Sequence, residues 1–491
     1  MKKLLVFLLS AIIGLTTVGI VGCRNNKSGV TELNVWCVAP LIYNYSNTLK
    51  LNPNDKQALL TKYIVEEFEK DNPDIKLNLL FKGWGNALNE QLVAGLNLKG
   101  QSAPDIVVGE QYVKTFIDNG NFAELDLGEY KTDIIDQAAN YMYKDEKCYA
   151  VPITTGTYGL NINLKMLEEC RIIDAEGTIS AAWREVMSEY VSAVNGMNAK
   201  YTCTVAAEIN PLAPAYFEDM LAICLFIRDY YDGKISVNNV TYQGSDGASK
   251  GGMVMTETIS DAPWQNLLYM RNAGGDFVDA NGDVDLDSEE NLLAYQMLRE
   301  LQKTVGTSGM VNAASEFNVQ FYGNYGVYAV QGAELKTRAY KYNFDAEDIA
   351  LTYVPMFSSV KKHSNTMVGS VFMSVNKNKS QNLEKSTKFI KYLLSDEIQY
   401  KFMEEDGRIP VRKSLLESDD IKNKSNYTDL EPLFKTFNEW DFEGMLYGFP
   451  NNASQIWEAY LAFVNELYSD ANLAEALTNA DNTMQYYLDR E

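Results

Sequence analysis

The chain has 491 residues, more than a single hydrophobic core usually serves, so two lobes or domains are expected. Hydrophobic residues make up 46% of it, which indicates a globular protein and excludes a disordered one. Its formal charge of −23 argues against nucleic acid as a partner, because phosphate binding depends on clustered lysine and arginine.

The N-terminal segment has a basic start, an apolar run from Leu4 to Gly22, and then Cys23. The apolar run is just long enough for a transmembrane anchor. Its ending, Ile20 to Cys23, instead resembles the bacterial lipobox, in which the cysteine is lipidated and becomes the new N-terminus. We therefore expect residues 1–23 to be a lipoprotein signal peptide and residues 24–29 to be a flexible polar tether.

Five cysteines remain after Cys23, and none of them stands in a C-x-x-C pattern. An odd number without that spacing indicates neither a complete disulfide framework nor a zinc site. Buried free thiols are expected. A single pair, such as Cys203 with Cys224, stays open, because sequence does not give the geometry.

After the tether, apolar runs of period two alternate with segments of helical spacing. Strands are predicted at 30–38, 75–81 and 104–109, and helices at 56–69 and 86–98. The stretch 39–54 is long for a connection between strand and helix, which favours a place at the rim of a cleft. The alternation predicts an α/β fold with a mainly parallel sheet and helices packed on it.

The stretch from Met367 to Leu416 continues this pattern. Residues 368–375 are typical of a strand buried on both faces, and a helix with regularly spaced apolar residues follows. Ser395 to Glu397 offers the start of a further helix, which glycine and proline then end.

The order of these pieces resembles a late segment of the extracellular solute-binding proteins of family 1, the receptors of sugar-importing ABC transporters. The matching residues are Gly369-Ser370, Phe389 to Leu393, Glu397-Ile398-Gln399 and Gly407 to Val411. Further similar segments lie at 68–79, 103–112, 148–169, 261–306, 317–332 and 447–467, the last as in the maltose-binding branch. The resemblance spans nearly the whole chain, leader included.

This resemblance implies an α/β fold of the two-lobe periplasmic-binding-protein-like type II, with a ligand cleft between the lobes. The chain would cross between the lobes near residues 150–158, 355–370 and 446–450, where prolines and glycines support the assignment. Lobe 1 would hold residues 30–152 plus 370–446, and lobe 2 would hold residues 153–369 plus 447–491.

The resemblance also implies a function. The protein would be a monomeric, lipid-anchored receptor on the extracellular face of the cytoplasmic membrane that captures a carbohydrate, in particular an oligosaccharide. It would deliver that ligand to ABC permease subunits without turnover and without a cofactor or metal. A membrane-anchored glycoside hydrolase stays open, because 66 acidic residues always permit some pair of carboxylates at catalytic spacing. A glycan-binding adhesion lipoprotein is a third hypothesis.

A sugar site needs aromatic plates with polar groups at their edges, because pyranose rings present flat C–H faces and a rim of hydroxyls. The aromatic candidates are Trp84, Trp264, Tyr325 and Trp457. The polar candidates are Glu110 after a buried strand, Thr155 and Tyr158 at the first crossing, and Asp261 beside a tryptophan. Gly369 at the second crossing would let the backbone approach a ligand or bend as a hinge. A packing role is the alternative for each.

Other chemical motifs are weak. The only histidine, His363, lies in a polar loop, and residues 247–251 spell G-x-S-x-G without the preceding strand that a nucleophile elbow needs. Residues 279–290 place oxygens as a calcium loop requires, but valine stands where that loop needs glycine. The same letters fit a turn at Asn281-Gly282 followed by a helix that Ser288 caps.

Overall fold

A computed structural model describes residues 29–83, 85–98, 100, 102–109, 113–139, 142–256, 262–279, 281–311, 314–360, 368–431, 433, 453–469 and 471–490. The predicted signal peptide and its Cys23 lie outside these ranges, as does His363. Among the described residues, no helix is long and apolar enough to cross a membrane.

The strands of the described ranges are numbered in chain order. They are β1 (Thr31–Cys37), β2 (Ile75–Phe81), β3 (Ile106–Gly109), β4 (Tyr143–Lys144), β5 (Lys147–Cys148), β6 (Val151–Asn163), β7 (Ser236–Val237), β8 (Val240–Thr241), β9 (Gly251–Thr256), β10 (Met310–Val311), β11 (Gly326–Gly332), β12 (Ile349–Thr352) and β13 (Val368–Val375). The main sheet has the order β10-β9-β11-β6-β13-β3-β1-β2, and β12 also pairs with β6.

The α-helices of the described ranges surround this sheet. They are α1 (Tyr45–Leu51), α2 (Lys56–Asp71), α3 (Gly85–Gly95), α4 (Val113–Asp118), α5 (Asp136–Ala139), α6 (Leu164–Glu169), α7 (Ala181–Met197), α8 (Phe217–Tyr231), α9 (Ala262–Asn272), α10 (Glu289–Gln302), α11 (Ala314–Tyr322), α12 (Glu334–Thr337), α13 (Leu383–Leu393), α14 (Asp396–Asp406), α15 (Lys413–Leu416), α16 (Ala453–Leu467) and α17 (Leu473–Leu488). Short 3-10 turns lie at Gly128–Thr132, Gly247–Ser249, Ala339–Tyr342, Ala346–Asp348, Lys377–Asn382 and Asp419–Asn423.

The sheet is mixed, and not mainly parallel as predicted, because its central strands β6 and β13 pair antiparallel with each of their neighbours. β1 pairs in parallel with β2 and β3, whereas β13 pairs antiparallel with both β3 and β6. The predicted strands at 30–38 and 75–81 are confirmed within a residue or two of their ends. Leu33 to Cys37 of β1 are all buried, as a strand covered on both faces requires, whereas β2 buries only Ile75 and Leu79.

Strand β6 has thirteen residues and pairs with different partners in its two parts. Its first seven residues pair with β13, and its second part pairs with β11 on one edge and β12 on the other. A single strand therefore joins the two ends of the sheet. The first lobe crossing, predicted near residues 150–158, falls within this strand.

The buried apolar side chains that the structure describes form two large clusters and a smaller third one. The first cluster contains β1, β2, β3 and β13 with helices α2, α13 and α14. The second contains helices α7, α8, α10, α16 and α17 with part of β9 and β11. Val151 and Ile153 of β6 belong to the first cluster, and Leu160 and Ile162 to the second. The two clusters thus meet along one strand.

Several local predictions are confirmed. The five described cysteines are free and buried.

Ser288 accepts a hydrogen bond from the backbone N–H of Asn291 and caps α10, and Gly282 has a φ of 91° in the turn before it. The carboxylate of Asp279 accepts hydrogen bonds within that turn from the backbone N–H groups of Asn281 and Asp283. In the segment 247–251, Gly247–Ser249 form a 3-10 turn and Gly251 begins β9, so the strand follows the turn, the reverse of the order in a nucleophile elbow.

One buried carboxylate holds the stretch that leads from β12 to β13. Glu218, at the start of α8, accepts hydrogen bonds from the backbone N–H and the hydroxyl of Ser358, the latter at 2.7 Å. Burial raises the pKa of Glu218 to about 7, although the hydrogen bonds from Ser358 oppose this. The neighbouring Asp219 accepts hydrogen bonds from Thr204, and burial raises its pKa as well.

This shift gives a stability prediction for Glu218→Gln. The pKa of Glu218 in the folded state, about 7, lies above the ordinary 4.5, so the stability that protonation supplies is complete below pH 4.5 and is lost as the pH rises through 7. Glutamine has no proton to lose. As the pH rises from 4.5 to above 7, urea unfolding should show the unfolding free energy of the variant rising by about 3 kcal/mol relative to that of wild type.

The matched control is Glu185→Gln, because Glu185 is exposed on α7. Its unfolding free energy should follow the wild-type pH dependence. An equal pH dependence for wild type and Glu218→Gln would contradict the prediction.

Candidate functional site

Where the two clusters meet, β6 and β13 form an antiparallel pair whose two faces differ in chemistry. Gly156 lies opposite Gly369, and Thr155 lies opposite Ser370. Residues that lie directly opposite share a face, and successive residues alternate between faces. The two glycines therefore lie on one face and the two hydroxyl side chains on the other.

The glycine face extends to a third strand. Gly332 at the end of β11 lies opposite Tyr158, two residues after Gly156 on the same face of β6. No heavy atom lies within 4 Å of the place where a Cβ at Gly369 would stand, and Gly369 is exposed. We call Gly156, Tyr158, Gly332 and Gly369 the glycine floor.

Two charged side chains lie over the glycine floor. A Cβ at Gly156 would stand 3.0 Å from a terminal guanidinium nitrogen of Arg408, and one at Gly332 would overlap the carboxylate of Glu334. The two charged groups are 3.6 Å apart and are 15% and 18% exposed. The absence of side chains on three neighbouring strands thus makes room for an ion pair that still reaches solvent.

The loop Gly407 to Pro410 explains the position of Arg408. Gly407 follows α14 with a φ of 67°, a conformation that glycine adopts without strain. Ile409 then exchanges both backbone hydrogen bonds with Thr155 on the edge of β6. This pairing holds the intervening arginine beside Gly156.

The fully buried carboxylate of Asp406 holds Arg408 of the Arg408–Glu334 ion pair in place. Asp406 accepts hydrogen bonds from the guanidinium groups of Arg338 at 2.9 Å and Arg408 at 3.2 Å, and another from the amide of Gln57. Burial alone would raise the pKa of Asp406, but the charges of Arg338 and Arg408 outweigh it and hold that pKa below its ordinary value. The carboxylate is therefore ionised and orients both arginines.

The segment 333–343 lies between the two halves of the molecule. Leu335 and Ala339 pack in the third cluster, with residues of β9, β11 and β12. Lys336 forms an ion pair with Asp429 at 2.8 Å, and Tyr340 accepts a hydrogen bond from the backbone N–H of Lys56. One side of this segment is thus apolar and faces the strands of one half, and its polar side contacts the other half.

The described residues among the predicted site do not all lie together. Tyr158 and Gly369 belong to the glycine floor, and Tyr158 is half-buried. Thr155 lies on the opposite face, where it is buried and its hydroxyl accepts a hydrogen bond from Ser370 at 3.0 Å. Tyr325 precedes β11 at the end remote from Gly332, roughly 20 Å along the strand from Tyr158. The structure therefore separates Thr155 and Tyr325 from the floor.

The remaining predictions are not described by the structure. Trp84, Glu110 and Asp261 lie outside the described residues. Trp264 and Trp457 fall within α9 and α16, but their side chains are also outside what is described. Their roles stay predictions.

Sequence reasoning missed Arg408 and Glu334 as candidate ligand contacts. A signal for Arg408 was present, since it stands in the Gly407 to Val411 segment on which the family resemblance partly rests. Glu334 lies two residues after the segment 317–332 and carried no signal of its own. Its position depends on the pairing of β11 with β6, which the sequence does not state.

The buried network predicts a large effect for Asp406→Ala. Removing this carboxylate leaves two buried or half-buried guanidinium groups without their shared partner, which typically costs about 3 to 5 kcal/mol. Urea unfolding at neutral pH should show a loss of that size. The control is Glu66→Ala, which removes an exposed helical pair with Lys62 at 3.9 Å and should cost less than about 0.5 kcal/mol. Equal losses in the two variants would contradict this account of Asp406.

Comparison with known structures agrees with this architecture. The GacH receptor of Streptomyces glaucescens, described with acarbose, is 18% identical with a TM-score of 0.66 and covers 94% of this chain and 99% of its own. MalE from Bdellovibrio bacteriovorus, bound to maltotriose, is 18% identical with a TM-score of 0.64, covering 93% and 99%. UgpB from Mycobacterium tuberculosis, in complex with glycerophosphocholine, is 15% identical with a TM-score of 0.65, covering 94% and 99%. These similarities establish the mixed α/β fold of periplasmic solute-binding proteins.

No curated protein sequence matches the chain. A family model described as bacterial extracellular solute-binding protein matches residues 63–429, which is well over half of the chain. The matched range contains β6, β13, the glycine floor and the ion pairs of Asp406 with Arg338 and Arg408. The chain therefore belongs to the bacterial extracellular solute-binding protein family.

Proposed function

We propose that this protein is the lipid-anchored, monomeric receptor of an ABC importer, which captures a carbohydrate outside the cell by closure of two lobes and delivers it to a membrane permease. Family membership supports the binding and delivery roles. The observation that carries the proposal is the crossing, where one strand pairs with β13 and then with β11 and β12.

The proposed lobes are residues 30–152 plus 370–446 and residues 153–369 plus 447–491. The separate clusters of buried side chains support this division, since β13 packs in the first cluster and α16 in the second. The third passage would fall between Leu433 and Ala453, in residues that lie outside the described ranges. A strand shared by both lobes is a suitable hinge, because a few residues at the change of partners can absorb the change in backbone dihedral angles.

The chemistry of the glycine floor favours a neutral, hydroxyl-rich ligand. The Arg408 guanidinium donates hydrogen bonds and the Glu334 carboxylate accepts them, so together they match hydroxyls that do both. Their charges already offset one another, which disfavours a strongly charged ligand. Tyr158 supplies a half-buried ring on the same face. The structural neighbours described with acarbose and maltotriose point to the same class of ligand.

Binding would proceed by a shift between open and closed forms. The floor contacts a ligand from the crossing, and groups on the two lobes reach it together only when the lobes approach. The ligand then favours the closed form by its difference in affinity for the two forms. A Kd on the order of 1 μM, about −8 kcal/mol, is enough for capture followed by release.

A thermal-shift screen of monosaccharides and of xylo-, manno- and malto-oligosaccharides tests this function. At saturating ligand, at least one sugar should raise the Tm, because a ligand that binds only the folded state stabilises it. Chromatography of the same mixtures should return the sugar uncleaved. Cleaved products would favour the glycoside hydrolase instead, and the absence of any shift would contradict a carbohydrate ligand.

The matched variants for this test are Gly369→Trp and Gly196→Trp. Both glycines are exposed, with no atom within 4 Å of an added Cβ, so a larger side chain at either place can extend into solvent. Gly196 lies on α7, away from the floor. The first variant should lose the sugar-induced shift and the second should keep it. If Gly369→Trp retains full sugar binding, the glycine floor is not part of the binding site.

We also propose that Cys23 carries the lipid anchor, with residues 1–23 as the signal peptide. The apolar run that ends in Gly22-Cys23 supports this. In the native host, Cys23→Ser should move the protein from the membrane fraction to the soluble fraction or leave it unprocessed at higher mass. Mature, membrane-bound protein in that variant would contradict the anchor.

A further inference from the structure

Two aromatic rings of the first half are stacked on each other in an exposed position. The rings of Tyr43 and Phe81 have centroids 5.6 Å apart and planes inclined by 18°. Tyr43 is 48% exposed and Phe81 is 43% exposed. A stacked pair covers one face of each ring and leaves the other faces and the edges free.

Both residues are held by the fold. Phe81 is the last residue of β2 and continues the alternation of the buried Ile75 and Leu79 beyond the end of the core. Tyr43 follows the buried Leu41, and the backbone N–H of Ile42 donates a hydrogen bond to the hydroxyl of Thr61 at 3.0 Å. The stacked pair is therefore a fixed surface rather than a chance arrangement of loop side chains.

Strand register relates this pair to the glycine floor. Phe81 lies opposite Cys37 at the ends of two parallel strands, and β3 ends at the same edge of the sheet. Met373 of β13 lies opposite Val108 of β3, and β13 extends past that edge to Gly369. Counting alternation across these pairs puts Phe81 and Gly369 on the same face of the sheet.

The separation between the two places is longer than one sugar ring. Three strand spacings and four residues along β13 amount to a distance on the order of 20 Å between Phe81 and Gly369. A single pyranose ring is much smaller than this. A ligand that reaches both must contain several linked rings.

We propose that Tyr43 and Phe81 form an outer subsite that stacks on a pyranose ring of an oligosaccharide whose other end occupies the glycine floor. This inference rests on the proposed function and adds the length of the ligand to it. The pair contacts the apolar face of a sugar ring, so it selects ligands by the length of the oligosaccharide and not by their charge.

Two other occupants fit less well. The exposed parts of the two rings amount to roughly 200 Å², whereas a stable protein interface buries about 1,200 Å² or more. A quaternary ammonium group is recognised by rings that surround it as a cage, and these two rings are stacked face to face. A sugar ring needs only one free aromatic face.

The test uses full-length protein, with calorimetric titration of xylo-, manno- and malto-oligosaccharides from disaccharide to hexasaccharide, and of choline. The variants are Tyr43→Ala and Phe81→Ala, with Tyr43→Phe as the conservative change. Tyr486→Ala is the control, because Tyr486 is 51% exposed on the terminal helix. Circular dichroism and Tm establish that each variant folds.

We expect wild type to bind the hexasaccharide of one series at least roughly tenfold more tightly than its disaccharide. Both alanine variants should lose that gain and bind the disaccharide as wild type does, whereas Tyr43→Phe and Tyr486→Ala should keep it. Wild-type binding of sugar with an unchanged length dependence in both alanine variants would overturn the subsite alone. Choline binding that the alanine variants abolish would overturn it in favour of a cation site. No sugar binding by wild type would overturn both the subsite and the carbohydrate function.

Discussion

The backbone ladder of β6 is the constraint on which the rest of the structure depends. Its thirteen residues pair first with β13 and then with β11 and β12, so the two cores are connected without an intervening linker. Backbone hydrogen bonds fix the register of such a strand. Any rotation of one core against the other must therefore be absorbed at the change of partners near residues 156–158, where Gly156 and Gly369 oppose each other.

The ion pairs beside this crossing position side chains more than they stabilise the fold. Asp406 is fully buried and binds Arg338, from the segment between the halves, and Arg408, from the loop that pairs with β6. Buried ion pairs contribute little compared with apolar packing, but they are costly to break and so define one arrangement. The network therefore fixes the guanidinium of Arg408 over the floor, with Glu334 beside it. A site of this kind is organised before the ligand arrives.

The sequence predicted those parts of the fold that depend on local pattern. The strands at Thr31–Cys37 and Ile75–Phe81, the helix at Leu383–Leu393 and the Ser288 cap follow from periodicity and capping chemistry. The candidate site depends on long-range pairing instead. A shift of one residue in the register of β6 would exchange the faces of Thr155 and Gly156. That register is set by pairing with β11 and β13, which lie far away in the chain. The contact between Arg338 and Asp406 likewise joins separate elements that no local pattern relates.

The central claim is that the two halves close around a ligand, and small-angle X-ray scattering tests it directly. The radius of gyration of the protein should fall when a sugar identified by thermal shift is added to saturation, as the lobes approach across β6. The mass from forward scattering should stay that of a monomer. A radius of gyration that is unchanged while calorimetry shows the same sugar bound would contradict the account.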